Sequence, residues 1–571
     1  MRVLSFLVIF AAGALLLFGL GRTDIRGGEE ARHAVMARNV AEHPAQLLNA
    51  SPEPAGPPGA TPFLYPALTG LFLRLPLRPE AALRLPSALA VLGAGLALLS
   101  LASARTRLAG ITALGVFALN PLAVLAGRLA TPDALAAALA LGGFWAAVRA
   151  ARGTPHPNLG LAGVALGLSF LCRPWACLPV LAGALLAVAA GGRGRRAHRL
   201  RLALVPLALF AAAAGSHWVL VSLLSPSTDA HWLAALVAPL TGAAPPSAWP
   251  AAAQRQLWVA LAPALPLVAL GVLAYLREPP EPLRLGALAW LLCATLARRG
   301  APDGPGALLL LPCWALLAAA GAEELCRWST EEQWRYPPAA RAMLALLPLA
   351  AAAALAPASA AAVRPLGGPA LAAAVLLVWT ALVWLIAGRY AAPPLKLGLV
   401  AAGLCLVLAW QAALSLPALH RAEVRNGYRD LGALLESPIQ GAALDATAFL
   451  APDPEALAFY LFRRGAAWQD RGRPLAWEAF LRLADGRHAR AFVVPRDPRR
   501  PPDPRVRAWL ALNTTEIGAA LPQARSAPPP WRAYVTGGPQ LPQLGPPRPP
   551  GVPERKAIIH PAPPPHRYRR L

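Results

Sequence analysis

Two adjacent carboxylates, Glu29 and Glu30, stand in the stretch "GRTDIRGGEEARHAVMARNV", directly after "VLSFLVIFAAGALLLFGL", an apolar run long enough to cross a bilayer. A carboxylate at a membrane surface can serve as a general base toward a hydroxyl, and guanidinium groups can hold a phosphate bidentately. Arg128, Arg173 of "CRPW" and the pair Arg298 and Arg299 are candidates for the second role, with Asp133 close behind Arg128 in "GRLATPDALAAAL". Each also has a plainer role. Acids in a first helical turn favour the helix dipole and balance Arg32 and Arg38. Asp133 can cap the helix it opens, and interfacial arginines can snorkel.

These residues must be positioned by membrane helices. Of 571 residues, 56% are hydrophobic and 14% charged, and the mean hydropathy is +0.47. Apolar blocks of roughly 17 to 23 residues match about 30 Å of hydrocarbon, and a chain in lipid must satisfy its own backbone polar groups, so helices are expected. The blocks predict spans at 4–20, 84–103, 108–126, 132–150, 158–172, 174–191, 202–224, 256–276, 283–297, 306–325, 342–362, 369–388 and 395–416, about thirteen in all. With a cytoplasmic N-terminus and a retained first span, "ARTR", "RAARG", "GRGRRAHRLR", "REPPEPLR", "CRWSTEEQWRYPPAAR" and "GRYAAPPLK" all face inward and carry Arg or Lys. The loops 21–83 and 225–255, and everything after 420, then lie on the extracytoplasmic side.

The net charge of +25 is spread over short loops and a tail. It fits membrane topology and anionic lipid, and nucleic acid is excluded as a partner. The six cysteines lie in or at the edge of apolar segments and suggest neither a disulfide framework nor a zinc site. After residue 419 "GAALDATAFLA", "RAFVVPR" and "PWRAYVTG" read as strands, and "DPEALAFYLFRRG" and "PLAWEAFLRLADGR" as helices. The expected organisation is a transmembrane domain over 1–419, with its catalytic loop at 21–83, a small extracytoplasmic α/β domain over 420–537, and a Pro-rich, basic, disordered tail over 538–571.

In order and composition, the acidic pair followed by Ala-Arg-His, the Pro-Ala-Leu turn of "LYPAL", "GRLATPDALAAAL", "LAGVALGLSFLCRPWACLPVLAGALL" and "RRGAPDGPGALLLLPCWALLAAAG" resemble the superfamily C glycosyltransferases. Within them the chain is similar to the aminoarabinose lipid A transferase and protein O-mannosyltransferase relatives, over roughly residues 1–320. The resemblance implies an α-helical polytopic membrane protein with an extracytoplasmic C-terminal domain, and a polyprenyl-phosphate sugar donor. It also implies a catalytic carboxylate at Glu29, with Glu30 beside it. The family commonly has Asp-Glu where this chain has Glu29-Glu30, and Glu-Lys-Pro-Pro-Leu where this chain has Leu64 and Tyr65 in the acidic and basic positions. Leu64 in the acidic position leaves a divalent metal in doubt and no cofactor firmly implied. Tyr65 in the basic position removes a phosphate ligand, and Arg173 keeps a charge where relatives often carry Lys.

The expected function is transfer of a sugar to a lipid, protein or envelope-glycan acceptor at the outer face of a bacterial-type inner membrane. Glu29 and Glu30 are the catalytic candidates. Arg128, Asp133, Arg173, Arg298, Arg299, Tyr65 and His231 are the substrate-binding candidates, and His33, Trp232 and Trp249 are further sugar or acceptor contacts with interfacial anchoring as the alternative role. A transporter or flippase of lipid-linked substrates, and a non-catalytic relative that binds lipid phosphate, are the competing readings. Scarce charges within the spans count against the transporter.

Overall fold

Among the described residues, the apolar segments fold as helix. The computed structural model describes residues 2–25, 29–42, 63–153, 155–191, 196–224, 260–277, 281–297, 306–330, 401–409, 412–413, 447–449, 491–495, 504–516 and 531–535. The spans expected at 342–362 and 369–388, half of that at 395–416, the loop 225–255 and the tail 538–571 lie outside these residues. Two units are distinguished, Met1–Val424 and Arg425–Leu571.

The first unit opens with α1 (Arg2–Leu17), the short helices α2 (Glu29–Glu42) and α3 (Leu64–Phe72), and the long α4 (Pro79–Ser103). It continues through α5 (Arg107–Ala118), α6 (Pro121–Gly127), α7 (Pro132–Arg152), α8 (Pro155–Phe170), α9 (Leu178–Ala190) and α10 (Arg196–Leu224). Then come α11 (Leu265–Arg277), α12 (Pro282–Ala297) and α13 (Gly306–Thr330). Among the described residues, the helical stretches Pro79–Ser103, Pro132–Arg152, His198–Ser216 and Leu308–Leu325 are long and apolar enough to cross a membrane. The chain is a helical multi-pass membrane protein.

One expected span is bent. The segment read as continuous over 108–126 is bent by 60° between α5 and α6. Pro121 has no N–H to extend α5, and the Asn120 side chain starts a new helix by accepting from the Leu122 amide at 3.0 Å. The Asn120 amide group also donates to the Ala260 carbonyl at 3.0 Å, tying the bend to the segment before α11. Another break separates α8 from α9, where Arg173 adopts an extended backbone ahead of a 3-10 turn over Pro174–Cys177.

Around these breaks the helices pack through small residues. α7 lies against α4, α8 and α9, and α11 lies against α13. Gly271 and Gly321 face the carbonyls of Leu317 and Leu267, so that any Cβ there would collide with backbone. Phe144 of α7 meets Trp290 of α12 edge to face at 5.3 Å, and both are fully buried.

The two ends of α4 and α7 carry different polar clusters. Arg84 and Asp133 stand near their starts. Arg105 and Arg152 stand at or just past their ends and converge on Glu281, with Arg152 at 2.6 Å. Arg105 also reaches Glu323 at 3.3 Å, and Arg284 approaches Glu281 at 3.6 Å. Helices of 25 and 21 residues separate the clusters by roughly 30 Å, the thickness of the hydrocarbon core.

In the second unit β1 (Thr447–Phe449), β2 (Ala491–Pro495), β3 (Thr515–Glu516) and β4 (Trp531–Val535) form a sheet in the order β1-β2-β4-β3. β1 runs parallel to β2, with Ala448 opposite Phe492, and β4 runs antiparallel to both β2 and β3. A helix, α14 (Pro504–Asn513), precedes β3 and buries Val506 and Leu510. The helices expected within 453–487 lie outside the described residues.

Candidate active site

The acidic pair does open a helix, and successive positions there point 100° apart, so the two carboxylates meet different surroundings. Glu30 is 2% exposed. Its Oε1 accepts from Arg84 Nε at 2.7 Å and from the Ala130 amide at 2.9 Å, and its Oε2 accepts from Arg84 Nη2 at 3.1 Å. Arg84 spends its other N–H groups on the carbonyls of Leu20 (3.1 Å), Thr23 (3.0 Å) and Asp24 (2.8 Å), and on the Thr23 hydroxyl (2.7 Å). A bidentate pair with every donor used is the geometry in which buried charges are tolerated. It knots the chain after α1, the start of α2, α4 and the α6–α7 turn. Sequence reasoning missed Arg84, although an arginine opening the apolar span expected over 84–103 was a usable signal.

Glu29, one position earlier, is 56% exposed and lies 3.6 Å from Arg173. Arg173 Nε lies 3.1 Å from Asp133 Oδ1, in the first turn of α7. Thr131, not Asp133, is the N-cap residue of that helix. The structure therefore brings together Glu29, Asp133 and Arg173 from three separate segments.

Arg128 serves the end of α1. It donates to the carbonyls of Leu15 and Phe18 at 2.9 Å, with longer contacts to Leu16 and Gly19. A cation is favourable there because the last carbonyls of a helix have no intrahelical partner.

Tyr65 stands behind the acidic helix, 1% exposed. Its hydroxyl lies 2.9 Å from Ser87 Oγ, which itself donates to the Thr131 carbonyl at 3.1 Å. A serine has one proton to give, so Tyr65 is the donor in the first contact. Burial, foremost, keeps the phenol well above its ordinary pKa and hence protonated. The His33 ring meets Tyr65 edge to face at 5.6 Å. Its burial, followed by the charges of Arg173 and Arg32, pushes the imidazole down to about 3, so it is neutral at physiological pH. Close approach of α2 and α3 depends on Gly70, where a Cβ would stand 2.8 Å from the Ala37 carbonyl.

Arg298, Arg299 and His231 lie outside the described residues, as do Trp232 and Trp249. Among the described residues no group of three His, Cys, Asp or Glu could hold a metal ion.

A comparison with curated protein sequences gave no match. Residues 60–220 match the dolichyl-phosphate-mannose-protein mannosyltransferase family. The crystal structure of ArnT from Cupriavidus metallidurans bound to undecaprenyl phosphate is similar with a TM-score of 0.62, over 93% of this chain and 97% of that one, at 14% identity. The fold is that of the superfamily C glycosyltransferases. The same ArnT in its apo state gives a TM-score of 0.61 at 15% identity, with the same coverage of 93% and 97%. Within this fold, the Glu29, Asp133 and Arg173 cluster is assembled from the first turns of α2 and α7 and the break before α9, and is anchored by the Glu30–Arg84 pair.

Proposed function

We propose that this protein is a membrane glycosyltransferase that moves a sugar from a polyprenyl-phosphate donor to the hydroxyl of a lipid, protein or envelope-glycan acceptor. The observation that carries the reading is the accessible Glu29 carboxylate held beside Arg173 in a chain with the superfamily C fold. Glu29 is the general base. It takes the acceptor proton as the acceptor oxygen attacks C1 of the sugar, and the C1–O bond to the phosphate breaks with inversion. Arg173 stabilises charge on the departing polyprenyl phosphate, together with Arg298 and Arg299, and Asp133 sets the orientation of its guanidinium.

Glu30 is the positioning partner of the pair. Its buried bond to Arg84 fixes the first turn of α2, and with it the reach of Glu29. Tyr65 lines the site behind them and His231 joins from the loop at 225–255. Arg128 contributes by holding the end of α1. The site lies on the extracytoplasmic side of a bacterial-type inner membrane, with the N-terminus cytoplasmic, about thirteen spans and an extracytoplasmic α/β domain over 420–537.

The test is release of free polyprenyl phosphate by the purified chain from a panel of lipid-linked sugars, with an envelope extract as acceptor. Wild type releases it, and Glu29→Gln lowers the rate by at least about a hundredfold at an unchanged yield of folded protein. Equal rates for the two proteins remove Glu29 from the mechanism. A wild type that binds the lipid phosphate but never releases it is a binding relative.

A further inference from the structure

His33 has a polar atom that the fold does not use. Its Nδ1 is buried and makes no hydrogen bond, and the residue is 5% exposed. Nearby groups are satisfied: Tyr65 by Ser87, Ser87 by Thr131, and Glu30 by Arg84 and Ala130. A buried ring nitrogen without a partner is costly, and an orphan of this kind beside a reaction centre marks a place where a ligand supplies the missing bond. His33 follows Glu29 by four residues on α2, which puts both side chains on one face at about 6 Å between Cβ atoms. The edge-to-face contact with Tyr65 fixes the plane of the ring.

The character of that ligand follows from the surrounding charge. The imidazole is neutral, and its Nδ1 accepts or donates according to tautomer, as a hydroxyl does. Arg173 and Arg32 make the potential at His33 positive, which disfavours an ammonium group. Arg173 is already paired with Glu29 and Asp133, and Arg84 with Glu30, and these carboxylates repel a further one. We propose that His33 is a specificity-determining residue that pairs with a hydroxyl of the donor's sugar and selects an uncharged hexose or pentose over an amino sugar or a uronic acid. The proposal rests on the glycosyltransferase reading and names the substrate class of the same site.

The experiment uses the full chain and polyprenyl phosphates carrying a neutral hexose, a neutral pentose, an amino sugar or a uronic acid, with bare polyprenyl phosphate as the reference in a binding assay. His33→Phe keeps the volume and the contact with Tyr65, and His33→Gln keeps a side chain able to pair. Wild type should prefer the neutral donors. His33→Phe should raise the KM for them by about tenfold or more, with kcat changed by less than about threefold and affinity for bare polyprenyl phosphate unchanged. His33→Gln should recover part of the loss.

Turnover by wild type with an unchanged KM in His33→Phe, or a wild-type preference for the amino-sugar donor, overturns the inference and leaves the transferase reading intact. No turnover of any donor by wild type removes the transferase reading instead. In that case the binding arm still decides: a sugar-dependent gain in affinity that His33→Phe abolishes keeps the subsite, and equal binding by both proteins removes it.

Discussion

Glu29 and Glu30 are identical in type and adjacent in sequence, yet one is 56% exposed and the other 2%. Their roles separate on that difference. Breaking a buried ion pair strands the remaining charge, so Arg84→Met should destabilise the folded chain by about 3–5 kcal/mol, measured as unfolding in detergent micelles. The double variant Arg84→Met with Glu30→Gln removes both charges and should recover a large part of that loss. If the two single changes simply add, the pair is not coupled. The acidic pair, Asp133 and Arg173 were legible in the sequence because charges are rare in so apolar a chain. Arg84 opens the span expected over 84–103, where an arginine reads as an ordinary interfacial residue, and the sequence does not say that Glu30 turns inward to meet it.

At the scale of elements, the site depends on breaks and close approaches. Asn120 both caps α6 and holds the Ala260 carbonyl. Asn120→Ala should therefore cost about 1–2 kcal/mol, with the same unfolding assay as the check, and an unchanged midpoint would show that the bend holds itself. Gly70→Val forces α3 away from the Ala37 carbonyl and displaces the helix that carries Glu29 and His33. It should lower sugar transfer more than it lowers the yield of folded protein, a comparison made on equal amounts of purified chain. Pro121 and Pro174 announced possible breaks in the sequence, yet the apolar run over 108–126 still read as one span. The reason is physical: hydropathy measures compatibility with lipid, and a bent helix pair is as apolar as a straight helix.

At the scale of the molecule, two titrating features lie at opposite ends of α4 and α7. Removal from water raises the Glu281 carboxyl, but the hydrogen bonds and charges of Arg105 and Arg152 outweigh this and hold it below its ordinary value. A carboxylate depressed in this way contributes its full stability above the unfolded pKa and loses it as the pH falls through the folded one. His33, lowered to about 3, excludes a proton that the unfolded chain binds below about 6.5, so its effect also reduces stability as the pH drops from 6.5 toward 3. Thermal stability in detergent should thus decline on acidification below about pH 6.5. His33→Phe should flatten the upper part of that decline, and Glu281→Gln the part below the ordinary carboxylate range. A profile unchanged in both variants would assign acid lability to other groups.

The sequence by itself determined the solvent and the secondary structure. Long apolar runs can only be helices in lipid, and sparse charges collect where the helices end. It also determined which residue types were available for chemistry, since few acids stand next to the expected membrane surface. Only the tertiary structure decided which of them meet. Arg84 and Glu30 are separated by 54 residues, and Arg128 turns back to α1 across 113. Those pairings are set by how helices cross and where their ends fall, which depends on packing between small residues distant in sequence and not on the composition of any one segment.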